Sequence, residues 1–387
     1  MNILDYVIWR GDITLDTDPF NEVDNLLFSQ LTYLDINGLT KESDVFNLNE
    51  LYSIYINNHS EEEINKLNVN NKFAFDLLKV MAVSNRFKYC KIKNYVSIKH
   101  NNPAEQFCGM MFELNDNSTV VAFRGTDDSI VGWKEDLILS YSDIKSQEDA
   151  VNYINNYCKG INKLRLVGHS KAGNLVLYAA VHCDLDIQDK IIEVYSNDGP
   201  GLRPSSYDVD RYGQIKDRCK LIVPEKDGVG TIYEMIENKK IVKVSTKNII
   251  YAHYLYTWQI IANHIEEADN EQYETDLSRS SIIYFLNETD EKQREFFVNE
   301  LFNSFEQAGI VSLNQIRVSG LPVIIKALKE MAEMDDKAKQ VAFKMFEAFG
   351  TNIQDDLQNE INNAKNEILN SVNSISNKFQ EMIKKKN

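Results

Sequence analysis

The chain has 387 residues, and its 42 Lys and Arg residues against 58 Asp and Glu residues give a net charge of −16. Hydrophobic residues make up 43% and charged residues 26% of the sequence, which is typical of globular proteins and excludes a wholly disordered or fibrous chain. The acidic excess argues against nucleic-acid binding, because binding to phosphates needs a basic surface. The length is enough for two or three domains, or for one large α/β unit with additions.

The cysteines and the apolar segments bear on the cellular location. The five cysteines are odd in number and contain no CxxC pair, so neither a zinc knuckle nor a dense disulfide scaffold is expected. The first residues lack the basic and apolar regions of a secretory signal, and no run of about 18 apolar residues predicts a transmembrane helix. We therefore expect a cytoplasmic protein with reduced, buried thiols.

Residues 1–85 are expected to be mainly helical. Apolar residues recur at helical spacing in NEVDNLLFSQLTYLD. Ser60 and Glu63 match a capping box at the start of another helix. The further predicted helices are NLNELYSIYINN, SEEEINKL and KFAFDLLKVMAV.

Residues 86–265 alternate between β-rich runs and helices. YVSIK, FCGMMFEL and STVVAFRG predict strands separated by turns. The strands LRLVG, IIEVYS, CKLIVP and KIVKVS then alternate with predicted helices in KAGNLVLYAAVHC, TIYEMIE and YLYTWQIIANHI. This alternation predicts βαβ units and a mostly parallel sheet flanked by helices.

Residues 266–387 predict a C-terminal helical extension, with helices over 290–308 and 320–349. After Gly350, apolar residues follow one another at about one helical turn along residues 351–387. This stripe favours a long helix docked on its own domain. The alternative is a coiled coil or partner helix that serves self-association.

The segment LRLVGHSKAGN, residues 164–174, predicts a nucleophile elbow. Its strand ends before Ser170 and a helix starts directly after it, so the serine hydroxyl is lifted above the sheet. Gly168 is small, as close packing at such an elbow requires, and Ala172 stands where the usual pattern has glycine. The alternative is a serine that merely caps the helix.

A nucleophilic serine needs a base and an acid that orients it. In alpha/beta-hydrolases these follow the serine on turns at strand ends. The turn EKDGVG, after the second strand beyond the elbow, offers Asp227, and the loop NIIYAHYLYTW, after the third, offers His253. Asp198, in the turn SNDGPG after the first strand, is the alternative acid. Element order favours Asp227.

An acyl-transfer site also needs an oxyanion hole, formed by two backbone N–H groups. One is expected from Lys171, which follows the nucleophile. The other is expected from the loop after VVAF, where Gly125 allows close backbone approach and Thr126 follows.

These segments together resemble the class 3 lipases. FRGTDDSIVGWKEDL, GHSKAGN, VPEKDGVG and HYLYTW are similar to the family's oxyanion segment, elbow, aspartate turn and histidine loop. The resemblance implies an alpha/beta-hydrolase fold with Ser170, Asp227 and His253 as the triad. It also implies that the segment around Trp133 forms a lid. From NILDYVIWRGD to SNDGPG, the chain further resembles an uncharacterised bacterial family of lipase-like alpha/beta-hydrolases, a domain of unknown function.

The sequence therefore predicts a serine hydrolase that cleaves a carboxylic ester, from a small molecule or a lipid, through an acyl-enzyme. A thioesterase or peptidase with the same triad is one alternative. A hydrolase fold used as a non-catalytic scaffold, with the helical tail as its partner site, is another. No HExxH, GxGxxG or phosphate-binding loop is present, so neither a metal nor a cofactor is expected.

Overall fold

The structure is a computed structural model that describes residues 1–226, 229–269, 286–287, 289–307, 309–312 and 315. The chain divides into two compact units. The first comprises Met1–Asp127 and Asp143–Asp276, and the second comprises Asp128–Ser142 and Leu277–Asn387. Asp227, the predicted helix over 320–349 and the apolar stripe over 351–387 lie outside the described residues.

The first unit is built on an eight-stranded sheet in the order β1 to β8. Its strands are β1 (Phe46–Asn47), β2 (Lys91–His100), β3 (Glu105–Glu113), β4 (Thr119–Phe123), β5 (Leu164–His169), β6 (Ile191–Asn197), β7 (Cys219–Pro224) and β8 (Lys239–Val242). The strands from β1 to β4 pair antiparallel, and those from β4 to β8 pair parallel. A separate antiparallel pair joins β9 (Ile260–Ile261) to β10 (His264–Ile265).

Helices precede and connect these strands. They are α1 (Ile3–Arg10), α2 (Glu22–Leu31), α3 (Leu48–Asn58), α4 (Glu61–Asn65), α5 (Val69–Met81), α6 (Ile130–Ile138), α7 (Lys145–Tyr157), α8 (Lys171–His182), α9 (Leu185–Gln188), α10 (Val209–Ile215), α11 (Ile249–Ala252) and α12 (Glu291–Gln307). The predicted N-terminal helices are confirmed, and so is the capping box of Ser60 and Glu63.

Alternate side chains of the sheet face two different layers, as strand geometry requires. Ala122 and Val167 belong to the core that the N-terminal helices cover. Phe123 points the other way and packs edge-on against Tyr153 of α7. A mostly parallel sheet with helical layers on both faces is the architecture of an alpha/beta-hydrolase, so the predicted fold class is confirmed.

The helix α2 is fixed to the sheet by buried polar contacts. Asp24 forms a buried ion pair with Arg86. Its neighbour Asn25 exchanges two amide hydrogen bonds with Asn197, at 2.8 and 3.0 Å. Because Asn197 ends β6, the Asn25–Asn197 pair ties α2 directly to the edge of the sheet formed by the carboxyl ends of the parallel strands.

Two predicted helices are wrong. In TIYEMIE the structure has only a 3-10 turn over Val229–Thr231, because tertiary contacts hold the following backbone. There Ile232 accepts a hydrogen bond from Gly201 and Tyr233 has a φ of 50°. In YLYTWQIIANHI the chain forms a 3-10 turn and the strands β9 and β10 instead.

The second unit contains α6, which packs on α12. The ammonium of Lys134 in α6 lies 6.0 Å from the ring centre of Phe302 in α12. The predicted helix over 290–308 is confirmed by α12. In the part of the chain that the structure describes, no helix is long and apolar enough to cross a membrane.

Candidate active site

Ser170 occupies a strained corner between β5 and α8. Its φ of 59° and ψ of −133° are rare for a residue with a side chain, and such strain is typical of functional turns. The Ser170 N–H donates to the carbonyl of Asn197 at 3.0 Å, and its own carbonyl accepts from Gly173 at 2.8 Å. Its side chain makes no capping hydrogen bond, so the capping alternative does not explain this serine.

Small residues let this corner pack closely. A Cβ on Gly168 would overlap the carbonyl of Ala172, and one on Gly173 would lie 2.7 Å from the Cα of Gly199. Real Cβ contacts are not that short, so both positions require glycine. Ala172 is itself fully buried, which shows that the corner accommodates its methyl group.

Asp198 and His253 form a direct pair. Oδ2 of Asp198 lies 2.7 Å from Nδ1 of His253, and the other oxygen, Oδ1, accepts from the N–H of Gly230 at 2.8 Å. Asp198 is fully buried, whereas the side chain of His253 is 19% exposed. An ionised carboxylate only accepts hydrogen bonds, so this contact favours the neutral His253 tautomer that carries its hydrogen on Nδ1 and keeps a lone pair on Nε2.

The backbone of Asp198 explains how it reaches the histidine. Asp198 follows β6 and has a φ of 48°, in the left-handed region that Asp tolerates better than most residues. Its N–H donates to the carbonyl of Ile222 at 2.7 Å. Asp198, the alternative acid, is therefore the carboxylate that contacts His253.

His169 and Tyr33 are site neighbours that the sequence did not reveal. His169 is 2% exposed; its Nδ1 lies 2.9 Å from the hydroxyl of Tyr33, and its Nε2 lies 2.8 Å from the carbonyl oxygen of His253. The two imidazole centres are 4.6 Å apart. His169 therefore holds the loop that carries His253. Tyr33 is 136 residues away from His169 in the chain, so no local motif indicates their contact.

The loop after β4 lies beside Ser170. A Cβ on Gly125 would lie 3.3 Å from Cβ of Ser170 and 2.5 Å from the carbonyl oxygen of His169. Thr126 follows directly, and Lys171 is the first residue of α8. Backbone N–H groups from both places could face one anion.

The structure describes the predicted site residues Lys171 and Trp133. The side chain of Lys171 is 1% exposed and donates to Gln106, so its ammonium lies within the protein interior. Trp133 belongs to α6 in the second unit, and the lid that was expected around it stays a prediction. No group of three or more His, Cys, Asp or Glu side chains with a metal-binding arrangement occurs among the described residues.

The part of the chain that contains these residues matches a known protein family. Residues 81–303, more than half of the chain, match the Mbeg1-like family, and they include Ser170, Asp198 and His253. The chain belongs to the Mbeg1-like family. This match confirms the predicted resemblance to a lipase-like family.

This Mbeg1-like protein was also compared with curated protein sequences and with solved structures. No curated protein sequence matches it. Among solved structures, a crystal structure of M37 lipase is similar with a TM-score of 0.37 and 12% sequence identity, over 61% of this chain and 91% of the lipase chain.

Proposed function

We propose that the protein is a serine hydrolase that cleaves a carboxylic ester through Ser170, His253 and Asp198. The observation that carries this proposal is the buried Asp198 carboxylate 2.7 Å from Nδ1 of His253, with Ser170 on a strained corner of the same sheet edge. A strained serine together with an acid-oriented histidine is the arrangement that nucleophilic catalysis requires.

The reaction follows from these roles. Oγ of Ser170 attacks the acyl carbon while Nε2 of His253 takes its proton, and the carbonyl oxygen becomes an oxyanion. The N–H groups of Thr126 and Lys171 stabilise that charge. The intermediate collapses, the ester C–O bond breaks, and His253 returns the proton to the departing alcohol. Water then hydrolyses the acyl-enzyme by the same steps and releases the acid.

The role of Asp198 is electrostatic. Its carboxylate holds the hydrogen of His253 on Nδ1 and stabilises the imidazolium that forms during the attack. Because Gly230 occupies the second carboxylate oxygen, the carboxylate has a fixed orientation.

A panel of p-nitrophenyl esters of increasing acyl length, run beside matched thioesters, tests the proposed reaction. The wild-type protein should hydrolyse oxygen esters, and Ser170→Ala should lose at least about a thousandfold in kcat. Ser53→Ala, on the exposed face of α3, is the matched serine control and should behave as wild type. Equal hydrolysis by Ser170→Ala and wild type would refute the proposal, and a preference for thioesters would indicate the thioesterase alternative.

Self-association through residues 351–387 is a separate hypothesis. Deletion of these residues should lower the oligomeric mass in light scattering while ester hydrolysis is retained. An unchanged mass would contradict it.

A further inference from the structure

The side chain of Lys171 takes no part in the reaction proposed above, which uses only its backbone N–H. It is 1% exposed, and its ammonium donates to two oxygens of Gln106, the backbone carbonyl at 2.8 Å and Oε1 at 2.9 Å. An apolar side chain would fill the same space without the cost of burying a charge. The hydrogen bonds of this buried ammonium therefore indicate a role for the Lys171 side chain.

Gln106 connects this ammonium to the oxyanion loop. Its Nε2 donates to the carbonyl oxygen of Gly125 at 3.4 Å. The carbonyl of Gly125 and the N–H of Thr126 belong to the same planar peptide group, so this hydrogen bond acts on the group that would carry the second oxyanion donor. Since Oε1 is held by Lys171, Gln106 has a fixed side-chain orientation in which Nε2 faces Gly125.

The loop that Gln106 contacts has little freedom to move toward the nucleophile. Gly125 already lies so close to Ser170 and His169 that an added Cβ would meet both. An oxyanion hole depends on N–H groups that are held in place before the charge forms. A contact from the opposite strand is therefore well placed to set the position of the Thr126 N–H.

We propose that Lys171 is a positioning residue that, through Gln106, fixes the oxyanion loop relative to the nucleophile. Its backbone N–H is one proposed oxyanion donor, and its side chain, through Gln106 and Gly125, sets the place of the second donor at Thr126. One residue thus couples the two halves of the hole. This inference rests on the proposed function and adds to it the means by which the two donors are kept in register.

The test compares Lys171→Met, Gln106→Met and the double variant with wild type. Methionine keeps the length of the lysine side chain but removes its donors. In place of Gln106, methionine removes both the Nε2 donor to Gly125 and the Oε1 acceptor for Lys171, and the double variant carries no unpaired buried charge. Lys220→Met is the matched control, because the Lys220 ammonium also donates to two oxygens, Oε1 of Glu193 and the hydroxyl of Tyr195, in the same sheet. The measurements are kcat and KM for p-nitrophenyl butyrate, with kcat normalised to the sites titrated by a fluorophosphonate.

Each single variant should lower kcat per titrated site by roughly tenfold to a hundredfold, with KM within about threefold of wild type. The double variant should lose about as much kcat as the more strongly affected single variant, and not the product of the two losses, because both changes break one connection. Lys220→Met should keep the wild-type kcat.

Other results overturn the inference in distinguishable ways. A kcat per titrated site within about twofold of wild type in both single variants, or losses that add in the double variant, would contradict the role of Lys171. If Lys171→Met does not fold, Gln106→Met alone decides. If wild type itself is neither labelled nor active, the proposed function has failed and the inference fails with it.

Discussion

Nδ1 of His253 lies 2.7 Å from Oδ2 of Asp198, although 55 residues separate them in the chain. The carboxylate is fully buried and its other oxygen is occupied by the N–H of Gly230. A carboxylate held in this way can orient an imidazole and leave its second nitrogen for proton transfer.

Replacement of Asp198 by Asn should abolish most turnover. The amide can still accept from Gly230, but its NH₂ group would face the Nδ1 hydrogen of His253 and favour the wrong tautomer. We expect kcat to fall by about 10³- to 10⁴-fold while the fold is kept. Steady-state kinetics and circular dichroism measure the two effects. Asp227→Asn is the comparison, and a larger loss there than in Asp198→Asn would reverse the assignment of the acid.

Replacement of Gly125 by Ala should disrupt the site. The new Cβ would meet the hydroxyl of Tyr33 and the carbonyl of His169. These two residues hold the loop that carries His253. We expect a loss of about 1–3 kcal/mol in the free energy of unfolding and a lower kcat. Gly213→Ala is the control, since nothing lies within 4 Å of its Cβ position in α10, and it should stabilise the protein by about 0.4–1 kcal/mol. Equal melting curves for the two variants would contradict this account.

Replacement of Tyr33 by Phe tests the support of the His253 loop. It removes the hydroxyl that lies 2.9 Å from Nδ1 of the buried His169. We expect a loss of about 1–3 kcal/mol in the free energy of unfolding, measured by urea denaturation, together with a lower kcat. Tyr52→Phe, whose ring packs on Phe75 in the same N-terminal part, is the control. A wild-type kcat in Tyr33→Phe would show that His169 holds the loop without this hydroxyl.

Glu193 should contribute to the acid stability of the protein. Burial raises the pKa of Glu193, but hydrogen bonds and ion pairs with Lys220 and Arg165 outweigh burial and hold it below its ordinary value of 4.5. A carboxyl group with a lowered folded-state pKa stabilises the protein above the unfolded-state pKa, and this stability is lost as the pH falls further. We expect the decrease of Tm below about pH 4.5 to be shallower in Glu193→Gln than in wild type. Identical slopes would contradict this role.

The local parts of the site could be predicted from the sequence. The elbow depends on a strand, a serine and a helix that are adjacent in the chain, so LRLVGHSKAGN is enough to indicate it. The parallel strands are also evident, because buried strands form continuous apolar runs. The helices predicted in TIYEMIE and YLYTWQIIANHI were wrong because distant backbone groups, such as that of Gly201, hold those segments.

The partners of these local elements could not be predicted in the same way. Strand counting favoured Asp227, in the turn EKDGVG, as the acid. Asp227 itself lies outside the described residues. Within the described part of that turn, the backbone N–H of Gly230 reaches the site and donates to Asp198. The contact between Asp198 and His253 depends on the left-handed backbone at Asp198, which a propensity pattern does not encode. Tyr33 and Gln106 likewise contact the site only through the fold.

The most direct test of the central claim is labelling with a fluorophosphonate, followed by peptide mapping, on wild type, Ser170→Ala and His253→Ala. This probe reacts with an activated serine whatever the natural substrate is. The proposed mechanism predicts modification at Ser170 in wild type, none in Ser170→Ala, and a rate reduced by several orders of magnitude in His253→Ala. Folded wild-type protein that is not labelled, or labelling at another serine that persists in Ser170→Ala, would contradict it.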